Sequence, residues 1–278
     1  MNNIRPVVTL FVVAAFAMPL AGQVAFEDEI VMERPMSALN TIWLEEMTWL
    51  EIRDAMAEGA RTAIVSTGGI EQNGPYVAMG KHNYVLEAAC EGIARKLGDA
   101  LCAPIIKLVP EGDLNPPTGH MRYPGTLTVR QETFEAMLED VGRSLDQHGF
   151  DWIIYIGDSG GNQTGMEAVA SRLNAEWGSN KALFIGEFYD NAGVQKHMED
   201  TFGIVEESQG WHDNYWLTAM QASVDPESVR YEQRVRAGNA SINGVSLTPL
   251  GNTIAVGEEL LRWRIDQTVR VIQSRKGM

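Results

Sequence analysis

The sequence predicts an α/β fold in which a mainly parallel sheet is sandwiched by helices. Segments with apolar residues at helical spacing alternate along the chain with short, almost continuous apolar runs. Such runs are typical of parallel strands that are buried on both faces. Loops rich in glycine and polar residues follow several of the runs, and the alternation of strand and helix favours parallel pairing.

The first half of the chain supplies two predicted helix–strand pairs and a third helix. "TIWLEEMTWLEIRDAMAEGA" has helical periodicity and stops at Gly59, and "RTAIVSTGG" is a short strand that opens into a glycine turn. "YVLEAACEGIARKLG" and "ALCAPIIKLV" form the next helix and strand. The long loop "PEGDLNPPTGHMRYPGT" then leads to a helix predicted from about Arg130 to His148.

The second half begins with the strand "DWIIYIG", which the glycine-rich turn "GDSGGNQ" follows directly. A helix is predicted from about Met166 to Trp177, and "ALFIGEFYD" is the next strand. A helical stretch around 208–222 and a final helix from about Asn252 to Ser274 complete the pattern. Because ligands bind beyond the carboxyl ends of parallel strands, the loops "STGGIEQNGP", "PEGDLNPPTGHMRYPG" and "GDSGGNQ" are expected to line one site.

The N-terminus has the pattern of a secretory signal peptide. Arg5 precedes an apolar run from Val7 to Leu20, after which small residues indicate cleavage near Gly22 or Gln23. The alternative is an uncleaved anchor. We therefore predict a signal peptide over 1–23, a lead-in segment over 24–40 and one α/β domain over 41–278 in a periplasmic or secreted protein.

The composition argues against a nucleic-acid-binding protein. The formal net charge is −15 and becomes about −16 once the predicted signal peptide is removed, and such a surface repels phosphate backbones. The two cysteines, Cys90 and Cys102, are too few for a cysteine-built zinc site. They either pair in an oxidising compartment or remain two buried thiols.

The string "GDSGG" within the turn resembles a serine-protease motif, but the fold class excludes that assignment. Chymotrypsin-like proteases are β-barrels, whereas this chain alternates helices and strands. The string also satisfies G-x-S-x-G at a strand-to-helix turn, which would make Ser159 a nucleophile with His212 as its base. The alternative is that the glycines let backbone amides approach a ligand at a helix N-terminus.

Several longer segments, in the same order along the chain, resemble the creatininase (creatinine amidohydrolase) family. "LEEMTWLEIRDAMAEGARTAIVSTGGIEQNGPYVAMGKHN" is similar to that family's entry helix, strand and Glu-Gln-His-Gly-Pro loop with Leu-Gly-Thr-Asp. "GHMRYPGTLTV" is similar to its Phe-Pro-Gly-Thr segment, and "GDSGGN" to its Asn-Gly-His-Gly-Gly-Asn turn. "GWHDNYWLTAMQASVDPESV" and "GVSLTPLGNTIAVGEELL" resemble its His-containing helix and C-terminal segment, so that the resemblance spans roughly Leu44 to Ile272.

The resemblance implies a dinuclear zinc or manganese centre that hydrolyses amide bonds in small molecules, in a hexameric assembly. Glu71 keeps the first ligand of the family pattern. Asn73, His82 and Ser159 stand where the pattern has His, Asp and His, and Gly161 stands where creatininase has its last Glu. A pair of divalent ions needs several anionic or imidazole ligands, so these replacements favour one ion rather than two.

Glu71, His82 and Asp158 form a carboxylate–imidazole–carboxylate set suited to one zinc or manganese ion. His212 and His120 are the candidate catalytic residues, because an imidazole can shuttle a proton at neutral pH; the alternative is that one of them completes the ligand set of the ion. Each of the three ligand candidates has a structural alternative: Glu71 and Asp158 as acceptors of loop amides, and His82 as a helix cap. The candidate substrate-binding residues are Asn73, Ser159 and Asn162.

These residues lead to one functional hypothesis and two alternatives. The chain is expected to hydrolyse an amide, lactam or lactone in a small molecule, as a homo-oligomer with no nucleic-acid partner and no membrane association after signal cleavage. The alternatives are a metal-free serine hydrolase that uses Ser159 and His212, and a non-catalytic binding protein on a decayed enzyme scaffold.

Overall fold

The structure is a computed structural model that describes residues 30–277. The described residues fall into two units, 30–37 and 38–277, and all of the features below lie in the second. The predicted signal peptide and residues 24–29 of the predicted lead-in lie outside the described residues. Among the described helices, none combines the length and apolar character that a membrane span requires.

The larger unit is built on a four-stranded parallel sheet with the strand order β2-β1-β3-β4. Its strands are β1 (Thr62–Thr67), β2 (Ala100–Cys102), β3 (Trp152–Gly157) and β4 (Ala182–Phe184). Every residue of β1, and every residue of β3 after the first, is buried. This explains why both read as continuous apolar runs.

Helices cover both faces of this sheet, which confirms the predicted α/β architecture. They are α1 (Trp49–Ala57), α2 (Lys81–Leu97), α3 (Gln131–Gln147), α4 (Gln163–Trp177), α5 (Asn191–Phe202), α6 (Tyr215–Val224), α7 (Tyr231–Arg236) and α8 (Leu250–Lys276). Successive strand residues point to opposite faces: Ile64 packs with residues of α2, α5, α6 and α8, whereas Ala63 and Val65 pack with residues of α3 and α4.

Several elements differ from the sequence-based expectations. The helix predicted around 208–222 begins only at Tyr215, because Gly210 has a φ of +84° and Asn214 is extended at the helix N-cap. The predicted strand after residue 181 ends at Phe184 and gives way to a 3₁₀ turn over Gly186–Tyr189. Helices α5 and α7 and a short antiparallel pair, β5 (Ser241–Ile242) with β6 (Val245–Ser246), were not predicted.

One close contact joins two helices, and a disulfide joins a helix to the sheet. In α8, a Cβ atom added at Gly257 would lie 2.0 Å from the carbonyl oxygen of Ala219 in α6, so the two helices meet at a position that only glycine fits. Cys90 of α2 and Cys102 of β2 form a disulfide with a Cα–Cα distance of 6.2 Å. The structure thus decides between the two alternatives for these cysteines in favour of pairing.

Candidate active site

A cavity of about 360 Å³ opens at the carboxyl end of the sheet. Most of its wall comes from the three loops expected to meet there and from the segment before α6, and the first turns of α2 and α6 with Tyr189 and Asn191 complete it. The loop after β1 contributes Glu71, the long loop contributes Glu111 and His120, the turn after β3 contributes Asp158, and the segment before α6 contributes His212. The predicted convergence of the loops is therefore present.

The loop after β1 is held against the start of α2, which fixes the position of Glu71. The Asn83 side chain accepts a hydrogen bond from the Gly69 amide at 3.3 Å and donates one to the Gly69 carbonyl at 2.9 Å. A Cβ atom at Gly68 would lie 2.0 Å from Asn83 Oδ1, so glycine is required at this position. The Glu71 amide also bonds to the Met79 carbonyl at 3.1 Å.

The imidazole of His82 lies between two buried carboxylates. Its Nε2 is 2.8 Å from Glu71 Oε1 and its Nδ1 is 2.8 Å from Asp158 Oδ2. Burial alone would lower the pKa of His82, but the two hydrogen bonds raise it above its usual value. Both nitrogens of the protonated ring then donate, and neither offers a lone pair. His82 lies in the first turn of α2, whose N-cap residue is Gly80, so its side chain is not the helix cap.

Asp158 is held from its other side by Arg264, a fully buried residue of α8. Arg264 Nη1 donates to Asp158 Oδ1 at 2.5 Å, and its Nη2 donates to Asn191 Oδ1 at 3.1 Å. Burial would raise the pKa of Asp158, but the charge of Arg264 and the His82 hydrogen bond hold it below its usual value. Both oxygens of Asp158 are therefore engaged by protein cations.

Glu71 also faces the two histidines that the sequence singled out as catalytic candidates. His120 Nε2 lies 3.2 Å from Glu71 Oε2, and His212 Nδ1 lies 3.7 Å from Glu71 Oε1. One ligand atom from each of Glu71, His120 and His212 lies within 4.8 Å of the others. Burial would raise the pKa of Glu71, but the hydrogen bond and charge of His82, followed by Lys81 and His212, lower it well below its usual value.

The two histidines also touch one another, with ring centroids 4.3 Å apart. His212 Nδ1 bonds to the Gln72 carbonyl at 3.0 Å, whereas His120 Nδ1 is buried without a hydrogen-bond partner. Burial and the neighbouring Lys81 lower the pKa of His212. At neutral pH its ring is thus uncharged, as a metal ligand requires.

Two further ionisable residues in the cavity wall were missed by the sequence analysis. Lys81 is fully buried, with Nζ 3.8 Å from Glu71 Oε1, and burial lowers the pKa of its ammonium group. Burial and the charge of Glu71 raise the pKa of Glu111 to about 9, so its carboxyl group keeps a proton at neutral pH. Glu111 Oε1 is buried without a hydrogen-bond partner.

Signals for these residues were present in the sequence. Glu111 is the second residue of a loop already assigned to the site, and Lys81 directly precedes His82. Arg264 occupies a position on the apolar stripe of α8, between the buried residues Leu261 and Thr268. A charged residue on such a stripe needs a buried partner, and Asp158 is that partner.

The three predicted substrate-binding residues occupy different environments. Ser159 lines the cavity. The amide group of Asn73 instead donates to the Glu71 carbonyl at 2.9 Å, and that of Asn162 donates to the Gly68 carbonyl at 2.8 Å. Neither Asn73 nor Asn162 is part of the cavity wall, and both brace the loop after β1.

The donor set fits one divalent ion better than two. Glu71, His120 and His212 supply one carboxylate and two imidazoles, a combination found at single zinc sites. The predicted ligand set of Glu71, His82 and Asp158 is brought together, but the protein's own hydrogen bonds occupy both nitrogens of His82 and both oxygens of Asp158. The roles of His82 and Asp158 as ligands stay predictions, and the geometry favours His120 and His212 in their place.

Comparisons with known proteins agree with this architecture. Residues 45–272 match the Creatininase family, described as creatinine amidohydrolase. A creatinine amidohydrolase from Pseudomonas putida is 26% identical over 110 residues, which are 40% of this chain and 42% of that protein. The match therefore spans less than half the length of that curated relative.

Two solved structures share the fold over most of their length. A crystal structure of creatinine amidohydrolase (creatininase) superposes with a TM-score of 0.64 at 18% identity, covering 85% of this chain and 98% of the other. A structure described as "Creatininase Mn" superposes with a TM-score of 0.63 at 18% identity, covering 84% and 98%. With the family match over residues 45–272, these findings confirm the resemblance: the chain belongs to the creatininase family.

Proposed function

We propose that this protein hydrolyses an amide, lactam or lactone bond in a small molecule, at a centre that holds one divalent metal ion. The observation that carries the proposal is the convergence of Glu71, His120 and His212, whose ligand atoms lie within 4.8 Å of one another in the cavity wall. Membership of a family described as creatinine amidohydrolase supports the reaction class.

Glu71, His120 and His212 would hold the ion, and zinc or manganese suits this mixture of carboxylate and imidazole ligands. One of the solved relatives is described as a manganese form. When bound there, such an ion would supply Lewis acidity toward the carbonyl group of the scissile bond and toward a water molecule. The cavity, at about 360 Å³, is of a size that suits a small substrate.

The protein's own residues then orient the ligands and move a proton. The chain of hydrogen bonds from Arg264 through Asp158 and His82 holds the Glu71 carboxylate in one orientation. Glu111 keeps a proton at neutral pH and passes it to the leaving nitrogen or oxygen as the carbon–nitrogen or carbon–oxygen bond breaks. The attacking water forms the new carbon–oxygen bond, and the proton that it releases restores Glu111.

Export and assembly are further parts of the proposal. The signal-peptide pattern over 1–23 supports a periplasmic or secreted location, and a disulfide between Cys90 and Cys102 suits an oxidising compartment. We also propose a homo-oligomer, with the hexamer as the first state to test, because the family resemblance implies one.

Metal analysis of purified protein tests the centre before any substrate is known. Wild type and the exposed-histidine variant His148→Ala should each retain about one ion per chain, because His148 lies outside the cavity wall. His120→Ala and His212→Ala should each lose the ion while remaining folded. Metal retained by both variants would favour the set of Glu71, His82 and Asp158 instead, and a metal-free wild type would overturn the metal centre.

The reaction class needs a separate measurement. A panel of small amides, lactams and lactones should contain a compound that wild type hydrolyses, and chelation should abolish that activity until zinc or manganese is restored. Activity that survives complete metal removal would contradict the proposal. Ligand-induced stabilisation with no product from any of the compounds would instead indicate a binding protein.

A further inference from the structure

Lys81 is a buried cation in the cavity wall, and it has no role in the reaction steps proposed above. It is the first residue of α2, and only 1% of its surface is exposed. Its side chain nevertheless forms part of the cavity wall. Glu71, from the loop after β1, and Asp158, from the turn after β3, are part of the same wall. The charge of Lys81 interacts with both carboxylates.

The ammonium group has few partners among the described residues. Its one ion pair within 4 Å is with Glu71 Oε1, at 3.8 Å, which is too long for a hydrogen bond. No side chain or backbone group of residues 30–277 accepts a hydrogen bond from Nζ. A buried ammonium group has three N–H donors that need acceptors, so these donors are available to a molecule in the cavity.

The surrounding carboxylates do not need Lys81 as their counter-ion. His82 lies between Glu71 and Asp158 with both ring nitrogens at 2.8 Å from carboxylate oxygens, and Arg264 holds the second oxygen of Asp158. Asp213, a further neighbour of Lys81, is paired with Arg234 at 3.4 Å. Each of these carboxylates thus has another cation as its partner, and the positive charge of Lys81 has no carboxylate of its own in the cavity wall.

We propose that Lys81 Nζ is a catalytic residue that binds the carbonyl oxygen of the scissile bond and, after hydrolysis, the carboxylate product. This inference rests on the proposed hydrolase function and names the chemical class that the cavity retains, a small carboxylate. As water adds to the carbonyl carbon, negative charge develops on the carbonyl oxygen. A cation already fixed in a water-poor site stabilises that charge without reorganisation.

Acetate, the simplest carboxylate product, is a suitable probe. Carbon-13 acetate is titrated by NMR into zinc-loaded, full-length protein. The wild type should show saturable binding, and Lys81→Met and Lys81→Gln should weaken it at least about tenfold, as expected for the loss of a charge-assisted contact. Lys96→Met is the matched control on the same helix, because Lys96 is exposed and pairs with Asp266; its binding should equal that of wild type.

Zinc affinity is a second measurement, and it distinguishes the loss of the Lys81 charge from a distortion of the site. Removal of a positive charge beside Glu71 should tighten zinc binding, by about tenfold in Lys81→Met, whereas a distorted site would bind zinc more weakly. Lys81→Gln keeps a polar side chain and serves if Lys81→Met does not fold.

The possible failures are distinguishable. A wild type that binds no zinc overturns the metal centre but leaves Lys81 testable, because acetate can then be titrated into the metal-free protein. If the Lys81 variants bind acetate as tightly as wild type, or if wild type binds none, the role of Lys81 is overturned. Zinc binding that weakens in both Lys81 variants would also contradict it.

Discussion

His82, in the first turn of α2, and Asp158, directly after β3, form a hydrogen bond of 2.8 Å between Nδ1 and Oδ2. The other nitrogen of His82 makes an equal contact with Glu71, and Arg264 holds the far oxygen of Asp158. Four buried side chains of alternating charge thus form one chain. The strengths of these contacts depend on each other, because removal of one member leaves its neighbours charged, buried and unpaired.

The Asp158→Asn substitution should therefore lower the stability of the fold strongly. The change leaves Arg264, which is fully buried, without its carboxylate partner, and the cost of breaking such a pair is about 3–5 kcal/mol. The free energy of unfolding, measured with denaturant, checks this. Asp151→Asn is the control, because that exposed carboxylate makes only a 3.8 Å contact with Arg61 and its loss should cost less than about 1 kcal/mol. Equal effects of the two substitutions would show that the buried chain is not a source of stability.

Glu111 should make the protein less stable as the pH rises. Its pKa is about 9 in the folded protein against 4.5 for an ordinary glutamate. Through this group the folded state binds more protons than the unfolded state between these values. The contribution of Glu111 to stability is therefore fully present below pH 4.5 and is lost as the pH rises toward 9. The slope contributed by one such group is at most about 1.4 kcal/mol per pH unit.

The Glu111→Gln variant isolates this effect, because glutamine has the shape of the protonated acid and does not titrate. The difference in unfolding free energy between wild type and Glu111→Gln should change steadily from pH 5 to pH 9, with wild type losing stability relative to the variant. A difference that is independent of pH would mean that Glu111 is ionised in the folded protein.

Gly257→Ala should destabilise the contact between α6 and α8. The added methyl group would lie 2.0 Å from the Ala219 carbonyl oxygen, so the helices must separate, at a cost of more than about 2 kcal/mol. Gly251→Ala in the same helix is the matched control. Nothing lies within 4 Å of its added Cβ atom, and it should be neutral or stabilising by up to about 1 kcal/mol. Thermal unfolding of the two variants separates the steric effect from helix propensity, and a stable Gly257→Ala would contradict the close contact.

Wild type should not react with a fluorophosphonate probe at Ser159. Serine nucleophiles are activated by a base within hydrogen-bond reach, and among residues 30–277 no imidazole makes a hydrogen bond to the Ser159 hydroxyl. His212 Nδ1 instead bonds to the Gln72 carbonyl. Intact-protein mass spectrometry of treated wild type and Ser159→Ala checks this. Labelling of wild type that disappears in Ser159→Ala would revive the serine hydrolase.

The resemblance and the alternation of strands and helices predicted where the chemistry is, because both are recorded in local patterns. A buried parallel strand needs a continuous apolar run, and the residues just after two such runs, among them Glu71 and Asp158, must reach the same edge of the sheet. The periodicity also predicted α2, α3, α4 and α8 to within a few residues. The periodicity was misleading for the segment that contains His212. A helix was predicted from about residue 208, but Gly210 and Asn214 delay its start to Tyr215.

The sequence by itself determined the family, the parallel sheet, the loops that meet at its carboxyl end and most of the ionisable residues in them. Only the tertiary structure decided which of those residues pair with one another and which face the cavity as possible metal ligands. Asp158 and Arg264 are 106 positions apart, and their pairing leaves neither Asp158 nor His82 an open ligand position, while Glu71 is left to face His120 and His212. The physical reason is that the role of a carboxylate, an imidazole or an ammonium group depends on which neighbours take its protons and lone pairs, and long-range packing brings those neighbours together.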